Sequence, residues 1–445
     1  MGRGYDAVPV PMPPHLRRRA WILLWIAVAA FLVARATSRR ESKGVILDHL
    51  EFGRRLVHGE DVYGPWYSDP DAPERPLHAP YPPSFGLLTA PFALVDELGG
   101  HRAARFAWAL LQIAALAAAA WSLRTLLAPR PPPFGWQVLW LLTFVLGLRF
   151  LLRDMHGGGG NGINLGLCML AFVAAERDRP RAAGLLLAFS LATKPTQLWL
   201  LPLFWLLDHR RALGWSLLGG LGFVAVTLAL QRFDVAPWLR WLEGSWRLGT
   251  QADPFAVPAL DFPPFEWMNQ SLRCAIARWC GTVPDEYAAK VVWGVPPGLG
   301  LETTTVAWLV RASTLAILAS LLWTAHAGRR SARARPWVFA AALLASVMLS
   351  PLSWKAHHMA ILPALSLLVW RGALGDSRLR RNTYVLLALW AVCCLPGRDL
   401  VGDAADEWAN SVYVVTIWDV VLFAWTLRVA GRTAREDDQA ARSTA

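Results

Sequence analysis

Gly44 to Trp66 reads GVILDHLEFGRRLVHGEDVYGPW. After a polar, Pro-rich passage, His78 to Phe85 reads HAPYPPSF and leads into an apolar run. Asp48 stands shortly after the first apolar segment, Ala20–Ala36. A short amphipathic run follows it, then a turn at Gly59-Glu60-Asp61-Val62-Tyr63 and a new apolar start at Tyr81-Pro82-Pro83. A bilayer-spanning helix takes about 20 mostly apolar residues. If Ala20–Ala36 spans, the stretch is a folded loop pressed against the membrane surface. An acid placed there meets both water and lipid headgroups, which suits chemistry on a lipid-linked substrate.

The rest of the chain agrees with a membrane setting. Of 445 residues, 55% are hydrophobic and 17% charged, and the mean hydropathy is +0.33. Soluble globular chains carry about 25% charged residues. The 25 Trp residues fit two membrane–water interfaces, where the amphipathic ring settles at headgroup level. A net charge of +12 would also suit nucleic acid, but the basic residues sit in short loops between apolar runs, as positive-inside topology requires. No nucleic-acid partner is expected. Cys168, Cys393 and Cys394 lie in apolar runs, and Cys274 and Cys280 in a long polar loop. That leaves a disulfide open between the last two and shows no metal-ligand spacing. The N-terminus is Pro-rich and then basic (His15, Arg17, Arg18, Arg19) without a small-residue cleavage site, so the first apolar run reads as a retained anchor.

Twelve runs approach spanning length: Ala20–Ala36, Ser84–Leu98, Arg102–Ala128, Phe134–Leu152, Ile163–Ala175, Ala182–Leu207, Ala212–Leu230, Thr303–His326, Pro336–Ser350, His357–Trp370, Thr383–Leu395 and Val412–Leu427. The expected fold is an all-α polytopic membrane bundle. It divides into a cytoplasmic segment 1–19, a membrane domain 20–430 with outer loops 37–83 and 232–302, and a cytoplasmic tail 431–445. The basic clusters Arg210/Arg211, Gly328–Arg335 and Arg378–Arg381 then face the cytoplasm. Glu176–Arg181 (ERDRPR) strains this count, because strict alternation sends it outside. Either a short early run does not span, or those arginines meet lipid phosphates.

Five constellations carry possible chemistry, each with a plainer alternative. Asp48 alone would be a solvated surface acid, but His49, Glu51, Arg54 and Arg55 crowd the same run. Asn161-Gly162-Ile163-Asn164, after four glycines, either caps a helix or permits close approach to a helix or ligand. Lys194-Pro195 interrupts a long apolar run. A cation at that depth is a functional-site hypothesis, and two short helices with a snorkelling Lys is the alternative. The outer loop 232–302 contains Asp261-Phe-Pro-Pro-Phe-Glu266-Trp-Met-Asn269-Gln270-Ser271-Leu-Arg273, with the aromatic faces and amides that sugar binding requires. Its Asn269–Trp279 part has helical spacing, with Leu272, Ile276 and Trp279 on one face. Ser350-Pro351-Leu-Ser353-Trp354-Lys355-Ala-His357-His358 gives either headgroup contact or a compact cationic phosphate site.

Taken together, Asp48 with Phe52, the Gly59…Tyr63 turn, Tyr81-Pro82-Pro83, Gly160-Asn161-x-x-Asn164, Lys194-Pro195, Asn269-Gln270-Ser271-Leu272 and Ser350-Pro351…His357-His358 resemble glycosyltransferase family 87. The resemblance covers Asp48 to His358. It implies a GT-C superfamily membrane enzyme, some of whose members are polyprenol-phosphate-mannose-dependent α-1,2-mannosyltransferases, and it makes Asp48 the counterpart of the family's catalytic base. Two positions depart from the family pattern: Phe52 stands where Tyr is expected, and Asn161 where Gln is expected.

The chemistry suits these residues. In a polyprenyl-phosphate sugar the leaving group is already a stable phosphate, so one base and a set of cations suffice, with no general acid. Asp48 is assigned as base in a single inverting displacement, and Lys194, His357 and His358 as donor-phosphate ligands. Tyr81, Asn269, Gln270, Arg273 and Trp354 are assigned to sugar or acceptor. No cofactor or metal is expected. The partners are a polyprenyl-phosphate sugar donor, a lipid or glycan acceptor, and membrane lipids, with the site on the outer face of the plasma membrane. The rivals are a flippase or transporter of polyprenyl-linked glycans, which would explain Lys194 but not the outer loop, and an O-antigen ligase or polymerase, which would not explain Asp48.

Overall fold

The computed structural model describes residues 13–38, 45–66, 75–76, 81–251, 267–375 and 377–444. Asp261–Glu266 and the middle of the first outer loop lie outside them. The first half of the chain forms α1 (Pro14–Thr37), α2 (Ile46–His58), α3 (Phe85–Leu127), α4 (Trp136–Gly157), α5 (Asn161–Glu176), α6 (Pro180–Thr193), α7 (Leu200–Leu206) and α8 (Arg210–Leu230). The second half forms α9 (Ala236–Thr250), α10 (Leu272–Cys280), α11 (Asp285–Ala288), α12 (Thr303–Gly328), α13 (Arg335–Leu349), α14 (Leu362–Leu374), α15 (Ser377–Cys394), α16 (Arg398–Ser411) and α17 (Val414–Thr444). Two 3₁₀ segments, Pro195–Gln197 and Lys355–Ile361, and a two-residue antiparallel pair, Pro65–Trp66 with Arg75–Pro76, complete the described elements. The protein is a multi-pass all-helical membrane protein.

Among the described residues, five helices are long and apolar enough to cross a membrane: α1, α3, α8, α12 and α17. The pair α15 and α16, bent by 84° at its break, would make a sixth. The count is lower than the twelve apolar runs for local reasons. Ala182–Leu207 is not one helix, because Lys194-Pro195 divides it into α6, a 3₁₀ turn and α7; Pro has no N–H to continue the ladder. α5, α6 and α13 are apolar but short. Residues 431–444, expected as a tail, continue α17.

Ser84–Leu98 and Arg102–Ala128 both fall in α3, which leaves helical geometry at Gly100, where φ is 76°. The first half of α3 runs along α2. A Cβ at Gly53 would sit 2.6 Å from the Thr89 carbonyl carbon, and one at Gly86 would sit 2.6 Å from Leu56 Cδ2. His58 Nε2 lies 3.2 Å from Glu97 Oε1 at the far end of the same pair. Past Gly100 the chain comes back, so that Trp108 Nε1–H donates to Gly159 O at 3.2 Å. The 84–98 run thus lies beside the acid-bearing helix. Glu176 of the ERDRPR stretch lies 2.9 Å from His209 and 3.2 Å from Arg335, sharing an end of the bundle with these basic loops.

The core lies on α13, apolar all round and buried from Pro336 to Met348, as such helices are. Phe339 stacks on Phe172 of α5 at 4.2 Å. The five cysteines are all free thiols, so Cys274 and Cys280 form no disulfide.

Candidate active site

α2 carries the acid. Its 13 residues bury Ile46, His49, Leu50, Phe52, Gly53 and Leu56 on one side, and it ends at Gly59 in a left-handed conformation (φ 68°). Asp48 lies in the first turn, where the exposed N–H groups favour negative charge. Burial nevertheless pushes its carboxyl up to about 7, against the pull of its own backbone N–H. Glu51, one turn on, is in a different state. Its oxygens accept from Arg54 Nε at 2.8 Å and Arg55 Nε at 2.6 Å. Burial raises its pKa, but the two guanidiniums outweigh burial and hold the carboxyl below its usual range. Of the two acids on this helix, only Asp48 is tuned to exchange a proton near neutrality.

An aromatic cage closes the other side of α2. The ring of His49 packs against Phe85 at 4.8 Å, Tyr81 at 5.4 Å and Trp108 at 5.5 Å, and Nε2 lies 3.4 Å from Tyr81 Oη. Burial, helped by the nearby Lys194 charge, pushes its pKa down to about 3, so His49 is neutral. Tyr81 lies within electrostatic reach of Asp48 and Asp154, and its ring centroid is 5.7 Å from Lys194 Nζ. Phe52 is buried between Tyr63 and Phe85. The residue that departs from the family pattern here is a core residue.

Lys194 sits where α6 ends in extended backbone (φ −150°, ψ 91°). The Asn164 amide repairs this break by donating to Lys194 O at 3.2 Å and Gln197 Oε1 at 2.7 Å, and its own Oδ1 accepts from Ser190 Oγ. Lys194 Nζ donates to Asn161 Oδ1. Asn161 Nδ2 in turn donates to Asp154 Oδ1 at 2.7 Å. Asn161, the second departure, is therefore a bridge between a buried acid and a buried lysine. The glycines make room for it. A Cβ at Gly159 would fall 2.1 Å from Asp154 Oδ1, and one at Gly158 (φ 71°) 2.5 Å from Ile46 Cβ on α2.

The two adjacent histidines part company. Trp354 N–H donates to His357 Nδ1 at 2.9 Å, so the neutral ring keeps its proton on Nε2. His357 lines a cleft with Asn161, Thr196, Gln197 and Ser350, and is near enough to Lys194 to feel its charge. His358 turns away. It is fully buried, with Nδ1 2.8 Å from Asp419 Oδ2 of α17 and its ring stacked on Phe150 at 5.4 Å. Asn161 connects Lys194, which it accepts from, to the cleft that it lines beside His357. His358 is held instead by the buried Asp419 carboxylate.

Asn269 and Gln270 are likewise occupied with backbone. Asn269 Nδ2 donates to Pro351 O at 3.0 Å, and its Oδ1 accepts from Ser353 N at 2.9 Å. Gln270 Nε2 donates to Trp267 O at 2.8 Å and Asn410 O at 3.0 Å. Both amides staple the outer loop to the 351–354 turn and to α16. Arg273 Nη1 donates to Leu248 O at 2.6 Å, tying α10 to the end of α9. Trp354 stacks at 6.4 Å on His357, which lines the cleft.

Asp154 and Asp419 were not singled out from the sequence. Each is a carboxylate in or at the end of an apolar run, and an intramembrane acid is a signal in itself.

Comparison with known proteins places these residues in a wider setting. The model of glycosyltransferase family 87 matches residues 79–351, more than half of the chain. A Mycobacterium tuberculosis protein named polyprenol-phosphate-mannose-dependent alpha-(1-2)-phosphatidylinositol mannoside mannosyltransferase is 26% identical over 432 residues, covering 90% of this chain and 91% of its own. Among solved structures, ArnT from Cupriavidus metallidurans bound to undecaprenyl phosphate is similar at 16% identity and a TM-score of 0.37, over 93% of this chain and 77% of ArnT.

Proposed function

The chain belongs to glycosyltransferase family 87, and from that premise we propose that it moves a hexose, mannose in the first instance, from a polyprenyl-phosphate donor to a lipid- or glycan-linked acceptor. Transfer takes place on the extracytoplasmic face of the plasma membrane and inverts the anomeric centre. The relative's printed name supports the donor and the sugar. The observation that carries the mechanism is Asp48, pushed up to about 7 on a short helix whose other acid, Glu51, is locked by Arg54 and Arg55.

In this reading the Asp48 carboxylate takes the acceptor hydroxyl proton as that oxygen attacks the anomeric carbon. The bond from the anomeric carbon to the phosphate oxygen breaks, and its electron pair leaves on polyprenyl phosphate. Lys194 Nζ and the His357 Nε2–H meet the phosphate, where preset donors stabilise charge as it develops. Tyr81, Trp354 and Arg273 border the sugar and acceptor. Asn269, Gln270 and His358 shape the site from behind.

The test is transfer of label. Membranes containing the protein are given radiolabelled polyprenyl-phosphate-mannose and candidate lipid acceptors, and the product linkage is determined. Covalent, inverted transfer agrees with the proposal. Label that only crosses the bilayer would replace it with a flippase.

A further inference from the structure

Asp154 stands behind the cleft-lining Asn161, and its hydrogen bonds favour its charged form. Lys194 Nζ can only donate, so the Asn161 atom facing it is the acceptor Oδ1. Asn161 Nδ2 must then face Asp154, 2.7 Å from Oδ1, while Gly162 N–H donates to Oδ2 at 3.0 Å. Both carboxylate oxygens accept, and among the described residues no acceptor faces either one, which favours the ionised form. Asp154 is 1% exposed, so water screens it little. The other titratable groups facing this pair are Tyr81, His49 and His357, with Asp48 beyond Tyr81. Before any phosphate arrives, Lys194, held on the cleft-lining Asn161, already has an anion behind it.

The reaction changes the charge of what the cleft holds. A polyprenyl-phosphate sugar is a phosphodiester with one negative charge. The spent carrier is a phosphomonoester, which loses its second proton near pH 6. A site with Lys194 alone would grip the dianion more tightly than the donor, and the enzyme would stay clogged with its own product. A buried carboxylate repels a dianion about twice as strongly as a monoanion at the same distance.

Resting on the reading of Lys194 and His357 as phosphate ligands, we propose that Asp154 is a specificity-determining residue that makes the cleft favour the phosphodiester donor over the phosphomonoester carrier, and so promotes product release.

The test uses two lipids that differ only in this charge, farnesyl phosphate and its methyl ester, farnesyl methyl phosphate. Their equilibrium binding to the purified full-length protein is measured at pH 8 and at pH 5. The wild type should hold the monoester no more tightly than the diester at pH 8. Asp154→Asn should shift the ratio toward the monoester by roughly tenfold or more at pH 8, and by little at pH 5, where both lipids are monoanions. A merely structural role would weaken both lipids together. An Asp154→Asn protein that binds the diester with an unchanged ratio overturns the proposal. So does a wild type that prefers the monoester tenfold at pH 8, a result that needs no variant to fold. Lys194→Met separates the two layers of the argument. If it weakens both lipids, the phosphate-site reading stands whatever Asp154 does; if it weakens neither, that reading fails first.

Discussion

Replacing Asp48 by Asn preserves size and shape and removes only the basic carboxylate. A positioned base contributes about 10²–10⁴ in rate, so transfer should fall by that factor, or about 3–5 kcal/mol of barrier. The pH dependence sharpens this. Asp48 must be ionised to take a proton, and its carboxyl is pushed up to about 7. kcat/KM should therefore be near its plateau at pH 8, about half of it at pH 7, and about a hundredth of it at pH 5. Glu51 as base would place that limb below the ordinary Glu range, since Arg54 and Arg55 hold it down. Stability should move the opposite way. A carboxyl whose folded pKa is raised binds its proton more tightly when folded, so the wild type loses stability as pH rises from about 4 to about 7 and levels off above that. Asp48→Asn escapes this loss and should melt no lower than wild type at pH 8. The assay is initial-rate transfer of labelled mannose from pH 5 to pH 8.5, with melting curves on the same samples and Glu51→Gln as control. An Asp48→Asn enzyme with normal transfer, or a wild-type acid limb near pH 4, would refute the assignment.

Lys194→Met removes a charge-assisted contact to the donor phosphate, and should lower kcat/KM for the donor by roughly 10- to 100-fold, measured in the same transfer assay. Asn269→Ala leaves buried backbone groups of the 351–354 turn without partners. It should cost about 2–3 kcal/mol of stability, seen as a lower melting temperature, with donor KM changed only a few-fold in the cold. Gly53→Ala pushes a methyl to within 2.6 Å of the α3 backbone at Thr89. It should destabilise by about 1–3 kcal/mol and reduce transfer by displacing α2, whereas Gly249→Ala, with nothing within 4 Å, should do neither.

The contrast between Asp48 and Asn269 shows what the sequence could and could not display. Asp48 was legible because its meaning is local: an acid following the first apolar segment on a short amphipathic helix needs no distant partner to be noticed. Lys194 was legible for the same reason, being a cation inside an apolar run. Asn269 and Gln270 have the right chemistry for sugars, but an amide serves a backbone carbonyl equally well. Their acceptors, Pro351 and Asn410, lie 82 and 140 residues away, and only the fold decides which use prevails. His358 and Asp419 are the sharper case. Each alone in an apolar run signals function, yet placed 2.8 Å apart with both fully buried they occupy one another. The short span count has the same origin, since hydropathy registers how long a run is but not that the chain turns back at Gly100.

The residues that remain able to react are those left over once such pairings are made. On α2, the two arginines claim Glu51 and leave Asp48. In the 355–361 turn, Asp419 claims His358, and Trp354 N–H claims only one nitrogen of His357. In the interior, Asn161 bridges Lys194 and Asp154, and in the proposed reading an arriving phosphate joins that pair. In the proposed site one half-buried acid titrates near neutrality and one buried cation is held by an amide. Such a division suits a reaction that needs a proton removed at one end of the displacement and a phosphate received at the other.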